Sequence, residues 1–115
     1  MSNEWERKSV GEQETFEVDT LDTDFILERA RELVRSVFAR VDRQGFRAFR
    51  TITVTVRFAN FMTFNRSHTP RDHLASEDAL YAGAVQLLLP FLDERANPRR
   101  KKVRLIGIRA EKLVR

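Results

Sequence analysis

Residues Ile52-Thr-Val-Thr-Val-Arg-Phe58 alternate apolar and polar side chains without a break. Successive side chains of a strand point to opposite faces. Ile52, Val54, Val56 and Phe58 therefore belong to a buried face, and Thr53, Thr55 and Arg57 to a wet one. A chain containing such a strand needs a sheet with one covered face and one open face. Ala59-Asn60-Phe61 reads as a tight connection, and Met62 to Thr69 as the antiparallel return strand. Thr69-Pro70 ends that strand, because proline has no N–H for the ladder.

The cover comes from two helical patterns. Asp22 or Thr23 can cap a helix whose Ile26, Ala30, Leu33, Val34, Val37, Phe38 and Val41 form one apolar stripe. Gln44-Gly45 supplies its left-handed exit. Ser76 caps a second helix, with Glu77 and Asp78 favoured by the positive helix start. Leu80, Tyr81, Ala84, Val85, Leu88 and Leu92 form its buried side. Pro90 is expected to kink or break it, and Asn97-Pro98 marks the following loop.

Lys8 to Phe16 has strand character, with Gly11 as a candidate bulge. Lys101 to Leu113 is a final strand with Gly107 inside it. The order strand, helix, strand, strand, helix, strand predicts an α+β fold. Its four-stranded antiparallel or mixed sheet would carry both helices on one face. Residues 1–6 read as an N-terminal lead, and 7–115 as one domain.

Charge then bears on the open face. Residues 1–45 hold 7 Lys/Arg against 11 Asp/Glu, whereas residues 46–115 hold 14 against 6. A balance of −4 is thus followed by one of +8, which favours a polyanionic partner, nucleic acid or an anionic membrane surface. Asn97-Pro-Arg-Arg-Lys-Lys-Val-Arg104 is the densest basic segment. It is either a solvated loop or a line of contacts to backbone phosphate. No apolar run approaches the length of a membrane span. With no cysteine there is neither a disulfide framework nor a thiolate metal site. The simplest expectation is a soluble cytoplasmic protein.

Catalytic and metal-binding patterns are poorly represented. Asp19, Asp22 and Asp24 lack the glycine and distal glutamate of a calcium loop and stand where a helix start wants acids. His68 and His73 are too few for a zinc site. The four glycines stand alone, so no phosphate-cradling loop exists. Ser9, Ser36, Ser67 and Ser76 lack a base and an orienting partner. Phe58 and Phe64 fall in register with core aliphatics, which counts against a base-stacking RNA reader.

Three segments together carry a resemblance. They are Arg7-Lys-Ser-Val-Gly11 with Glu14-Thr-Phe16; Val56-Arg-Phe-Ala-Asn-Phe61 with Asn65-Arg-Ser-His-Thr69; and Val103-Arg-Leu-Ile-Gly-Ile-Arg109 with Lys112-Leu113. In order and spacing they resemble the C-terminal little finger of Y-family (translesion) DNA polymerases, in the DinB/DNA polymerase IV branch. The resemblance implies a parent DNA-directed DNA polymerase whose palm, fingers and thumb hold the magnesium ions and the nucleotide. This chain would have no catalytic centre or cofactor of its own and would grip duplex DNA independently of sequence. It implies duplex DNA and the parent's catalytic core as partners, for a monomer away from any membrane. A sliding clamp is left open, since no Gln-rich aromatic tail follows Leu113. The main competitor is a stand-alone ferredoxin-like module that binds RNA or protein, which open-face aromatics would favour.

The expected DNA contacts are Lys8, Ser9, Gly11, Thr15, Thr55, Arg57, Arg66, Ser67, Thr69, Lys102, Arg104 and Arg109. Arg104 and Arg109 are five apart, so strict alternation sends them to opposite faces. The adjacent apolar residues Leu105 and Ile106 break the period of two. A bulge at Ile106-Gly107 would reset the parity and bring both arginines, with Lys102, to the open face.

Overall fold

The computed structural model describes the chain from Trp5 to Arg115, and its side chains from Lys8 onward. Six elements follow one another: β1 (Trp5–Thr20), α1 (Thr23–Arg43), β2 (Thr51–Phe58), β3 (Thr63–His68), α2 (Glu77–Leu92) and β4 (Val103–Val114). The strands form one sheet in the order β1-β4-β2-β3, and every neighbouring pair is antiparallel. The predicted strand–helix order and fold class stand.

Both helices are set by their caps and stripes. The Asp22 carboxylate accepts from the Phe25 N–H at 3.2 Å, and the Ser76 hydroxyl from the Ala79 N–H at 3.1 Å. Each satisfies one of the free donors at a helix start. Ile26, Ala30, Leu33, Val34, Val37 and Val41 of α1 are buried, and Gly45 leaves the helix at φ +87°. Leu80, Ala84, Leu88, Phe91 and Leu92 of α2 are buried, with Tyr81 and Val85 half-buried. α1 lies over β1 and β4, and α2 over β2 and β3. One core between the helices and a single sheet face joins these side chains to Val10, Ile52, Val54, Val56, Ile106 and Ile108. Each such aliphatic contributes roughly 1.5–3 kcal/mol by leaving water.

Three expectations about backbone irregularities are corrected. Pro90 does not break α2, which runs on to Leu92. Pro90 stands in the last turn, where burial of Phe91 and Leu92 outweighs the one helical hydrogen bond it cannot donate. Gly11 is not a bulge: Ser9 to Thr15 pair continuously with Glu111 to Leu105. The shifts in β1 lie on either side, between Glu6 and Ser9 and between Thr15 and Thr20.

The ladder is also regular through Gly107, which pairs with Gln13 on one side and Thr55 on the other. The irregularity of β4 lies at Arg104, since Arg57 pairs with Leu105 but Phe58 with Val103. That extra residue puts Val103 in the core beside Phe58, while Leu105 goes to the open face. Leu105 is buried there, yet outside the continuous core. The adjacent apolar residues thus mark a two-faced strand and not a bulge between them.

Candidate nucleic-acid interface

Register and alternation lay the open face out in cross-strand rows. One runs Gly11–Arg109–Thr53–Ser67, the next Gln13–Gly107–Thr55–Asn65, and the next Thr15–Leu105–Arg57–Thr63. A fourth, Ser9–Glu111–Thr51, continues to Thr69 through a hydroxyl–hydroxyl hydrogen bond of 2.8 Å. Apart from Leu105, these side chains are small hydroxyls, amides and charged groups.

Polar pairs hold the edge strand β3, whose residues are all exposed. Thr53 and Ser67 hydroxyls lie 2.8 Å apart, and the Thr55 hydroxyl donates to Asn65 Oδ1 at 2.6 Å. The Arg57 Nε donates to Thr63 Oγ1 at 2.9 Å. Cross-strand pairs of this kind contribute about 0.2–1 kcal/mol each. They also fix where the Arg57 guanidinium starts; its terminal nitrogens make no hydrogen bond among the described residues.

Arg109 is the most available cation of the face. It is exposed and makes no ion pair or side-chain hydrogen bond among the described residues. Opposite it stands Gly11, where a Cβ would lie 3.2 Å from Arg109 Nε and 3.3 Å from Arg109 Cβ. The missing side chain is what lets Arg109 lie across β1. Gly11 and Gly107 floor a shallow depression of about 220 Å³ that Ser9, Gln13, Thr55 and Arg109 border. The Glu111 carboxylate accepts from the Thr53 hydroxyl, so the one acid of these rows is engaged.

The sequence-derived contacts divide. Ser9, Gly11, Thr15, Thr55, Arg57, Ser67 and Arg109 come together on the open face, with Thr69 at its end. Arg66 does not. It pairs with Val54, on the helix side, and its guanidinium lies over the Phe91 ring at 5.4 Å. Lys102 is exposed but precedes β4, and its carbonyl accepts from the Ala59 N–H at 2.9 Å. Lys8 is exposed on β1, inside the shift between Glu6 and Ser9.

Arg104 occupies the β4 irregularity. Its guanidinium lies 4.5 Å from the Phe61 ring centre, and its buried Nε is 3.7 Å from Asp19 with no hydrogen-bond partner. It is tethered at the sheet end and less available than Arg109. Gln13, Thr53, Thr63 and Asn65 were missed, although the alternation that selected Thr55 and Ser67 selects them equally.

The remaining candidates have structural roles. Asp22 caps α1, Asp19 faces Arg104, and no group of three or more His, Cys, Asp or Glu is gathered for a metal among the described residues. Asn97 is buried; its amide donates to the Phe91 and Lys101 carbonyls, and its oxygen accepts from the Lys101 N–H. The basic run is therefore pinned at its start. Phe58 and Phe64 meet edge to face on the helix side, 5.8 Å between ring centres, so among the described side chains the open face offers no aromatic stacking pair. No described helix is long and apolar enough to cross a membrane.

The impB/mucB/samB family C-terminal domain matches residues 7–115. DNA polymerase IV of Leptospira interrogans is 32% identical over 105 residues, 90% of this chain but 29% of that protein. The chain therefore spans under a third of that curated relative. Among solved structures, the insertion ternary complex of Dbh DNA polymerase superposes with a TM-score of 0.82 at 19% identity, over 96% of this chain and 30% of that one. The little-finger domain of PolIV, solved in complex with the beta-clamp processivity factor, superposes at 0.62 and 24% identity, over 94% and 91% of the two chains. The chain belongs to the impB/mucB/samB C-terminal domain family and has the fold of the polymerase little-finger domain.

Proposed function

We propose that this chain grips duplex DNA through its open sheet face, by phosphate contacts and without reading bases. The observation that carries this is the composition of the face: Arg109 and Arg57 among hydroxyls and amides, with one acid, Glu111, already engaged, one apolar residue, Leu105, and no aromatic in register among the described side chains. Arginine forks and hydroxyls bind phosphate oxygens whatever the base sequence. Dimensions point the same way. Three inter-strand spacings make the sheet about 14 Å wide before side chains are added. A major groove about 12 Å wide admits a two-stranded ribbon. Four strands are too wide to enter, so the sheet would lie across the groove and touch both backbones.

Contacts of that kind tolerate a damaged base, which suits a translesion polymerase. Nucleotide transfer, with its magnesium ions, belongs on this reading to the parent's catalytic core. No step of it is assigned to residues of this chain. Likeness to the clamp-bound PolIV domain extends the proposed partners to a sliding clamp.

Fluorescence anisotropy with two duplexes of unrelated sequence, at several salt concentrations, tests the reading. Both should bind with similar affinity, and log K should fall with log salt by about 0.9 per phosphate contact. Arg109→Ala should remove about one such unit equally for both duplexes. Absence of binding at low salt, or strong preference for one sequence, would refute it.

A further inference from the structure

Three segments meet beyond the Thr51–Thr69 end of the open face. Arg50 precedes β2, and its N–H donates to the Glu111 carbonyl at 3.1 Å. The segment after β3 returns alongside it, with Phe49 and Leu74 exchanging backbone hydrogen bonds of 2.9 Å. The end of β4 supplies Lys112 and Val114. Together Arg50, Thr69, His73, Lys112 and Val114 line a cavity of about 340 Å³.

The chemistry of that lining is one-sided. Among the described residues it contains a guanidinium, an ammonium and an imidazole, and no carboxylate. Arg50 Nε donates to the Pro70 carbonyl at 2.9 Å, which orients the guanidinium; its terminal nitrogens make no hydrogen bond among the described residues. Neither Lys112 nor His73 makes an ion pair or side-chain hydrogen bond among the described residues. In the Thr51–Thr69 pair only one hydroxyl can donate to the other. If buried Thr51 donates, the Thr69 proton is free for a ligand in the cavity.

Lys112 is placed there by an unusual backbone. Its φ is +56°, a left-handed conformation that non-glycine residues adopt sparingly. Strand parity changes at this residue, so Leu113 returns to the core while Lys112 stays exposed. Residues held in sparse backbone regions cluster at ligand sites, where the surrounding structure pins them.

We propose that this cavity holds one phosphate group of a nucleic-acid strand, the phosphodiester next beyond those on the open face. Arg50 would offer its fork, Lys112 a point charge and Thr69 a hydroxyl donor. The inference rests on the duplex-binding reading for the source of the phosphate, but not for the existence of the anion site. A free phosphate ion offers the same oxygens, so the test separates the two sources.

The first arm titrates the isotope-labelled full chain with inorganic phosphate, against chloride at equal ionic strength, and follows amide shifts. Arg50, His73 and Lys112 should move saturably, and Lys112→Gly should abolish the effect. Glycine is the residue that best tolerates this backbone angle, so the variant keeps the fold. Lys112→Arg should restore binding, and Arg109→Ala should leave it unchanged. The second arm measures duplex affinity against salt, where Lys112→Gly should lower the slope by about 0.9. No saturable shift at the cavity, or one that survives Lys112→Gly, overturns the site while duplex binding stands. A phosphate response with an unchanged duplex slope overturns the phosphodiester as occupant. Phosphate uptake by a chain that binds no duplex would instead refute the DNA reading and take the phosphodiester with it.

Discussion

Gly83 of α2 faces Ile52 of β2 so closely that a Cβ at Gly83 would lie 2.2 Å from Ile52 Cδ1. Ile52 is 1% exposed, so its terminal methyl has little room to yield. Gly83→Ala should therefore show two opposed effects. Alanine gains about 1 kcal/mol of helix propensity over glycine. Forcing a methyl into a filled core costs about 1–3 kcal/mol. The net expectation is a destabilisation of about 0–2 kcal/mol.

Ile52→Val removes the obstructing methyl and by itself costs about 0.5–1.5 kcal/mol. In that background the new Cβ would meet Ile52 Cγ1, now a valine methyl, at 3.6 Å, an ordinary contact. Gly83→Ala should then stabilise by about 1 kcal/mol. The two substitutions should couple by about 1–3 kcal/mol in a double-mutant cycle measured by urea unfolding. Additivity within about 0.5 kcal/mol would show that α2 can lift off β2 without loss, and would refute the close-packing argument.

Gly11→Ala should leave unfolding stability within about 0.5 kcal/mol, because the exposed Arg109 side chain can move aside. Duplex affinity should fall, though less than with Arg109→Ala; unchanged affinity would show that Gly11 does not position Arg109. Arg66→Ala should weaken stability slightly through its lost contact with Phe91 but leave the salt slope of duplex binding unaltered, in contrast to Arg109→Ala. The Asp93 carboxyl is held below its ordinary value, first by the side-chain hydrogen bond from Arg95 and then by the Arg95 backbone N–H. With the folded pKa depressed, the stabilisation it provides is present above the unfolded value and lost as pH falls through the folded one. A pH titration of the Asp93 carboxyl by NMR should find it low in the native chain and returned upward by Arg95→Ala.

Local periodicity was sufficient for the element order, both helix caps and the open face of β2. A strand of period two and a stripe of period 3.6 each declare which side is buried. It also contained the correct side for Arg66, since Phe64 and Arg66 share parity on β3; the residue's charge suggested a phosphate contact that its register denies. Irregular steps were not legible. Adjacent Leu105 and Ile106 look like a broken period when one face is assumed apolar and the other polar. Only the pairing with both β1 and β2 shows a regular ladder there and an extra residue at Arg104. The strand order β1-β4-β2-β3 and the meeting of Arg50, His73 and Lys112 likewise belong to the tertiary structure. Those residues are distant in sequence, and their neighbourhood follows from which backbones pair at the end of the sheet. No local pattern encodes it, because hydrogen-bonded register between remote strands is decided by burying one continuous core.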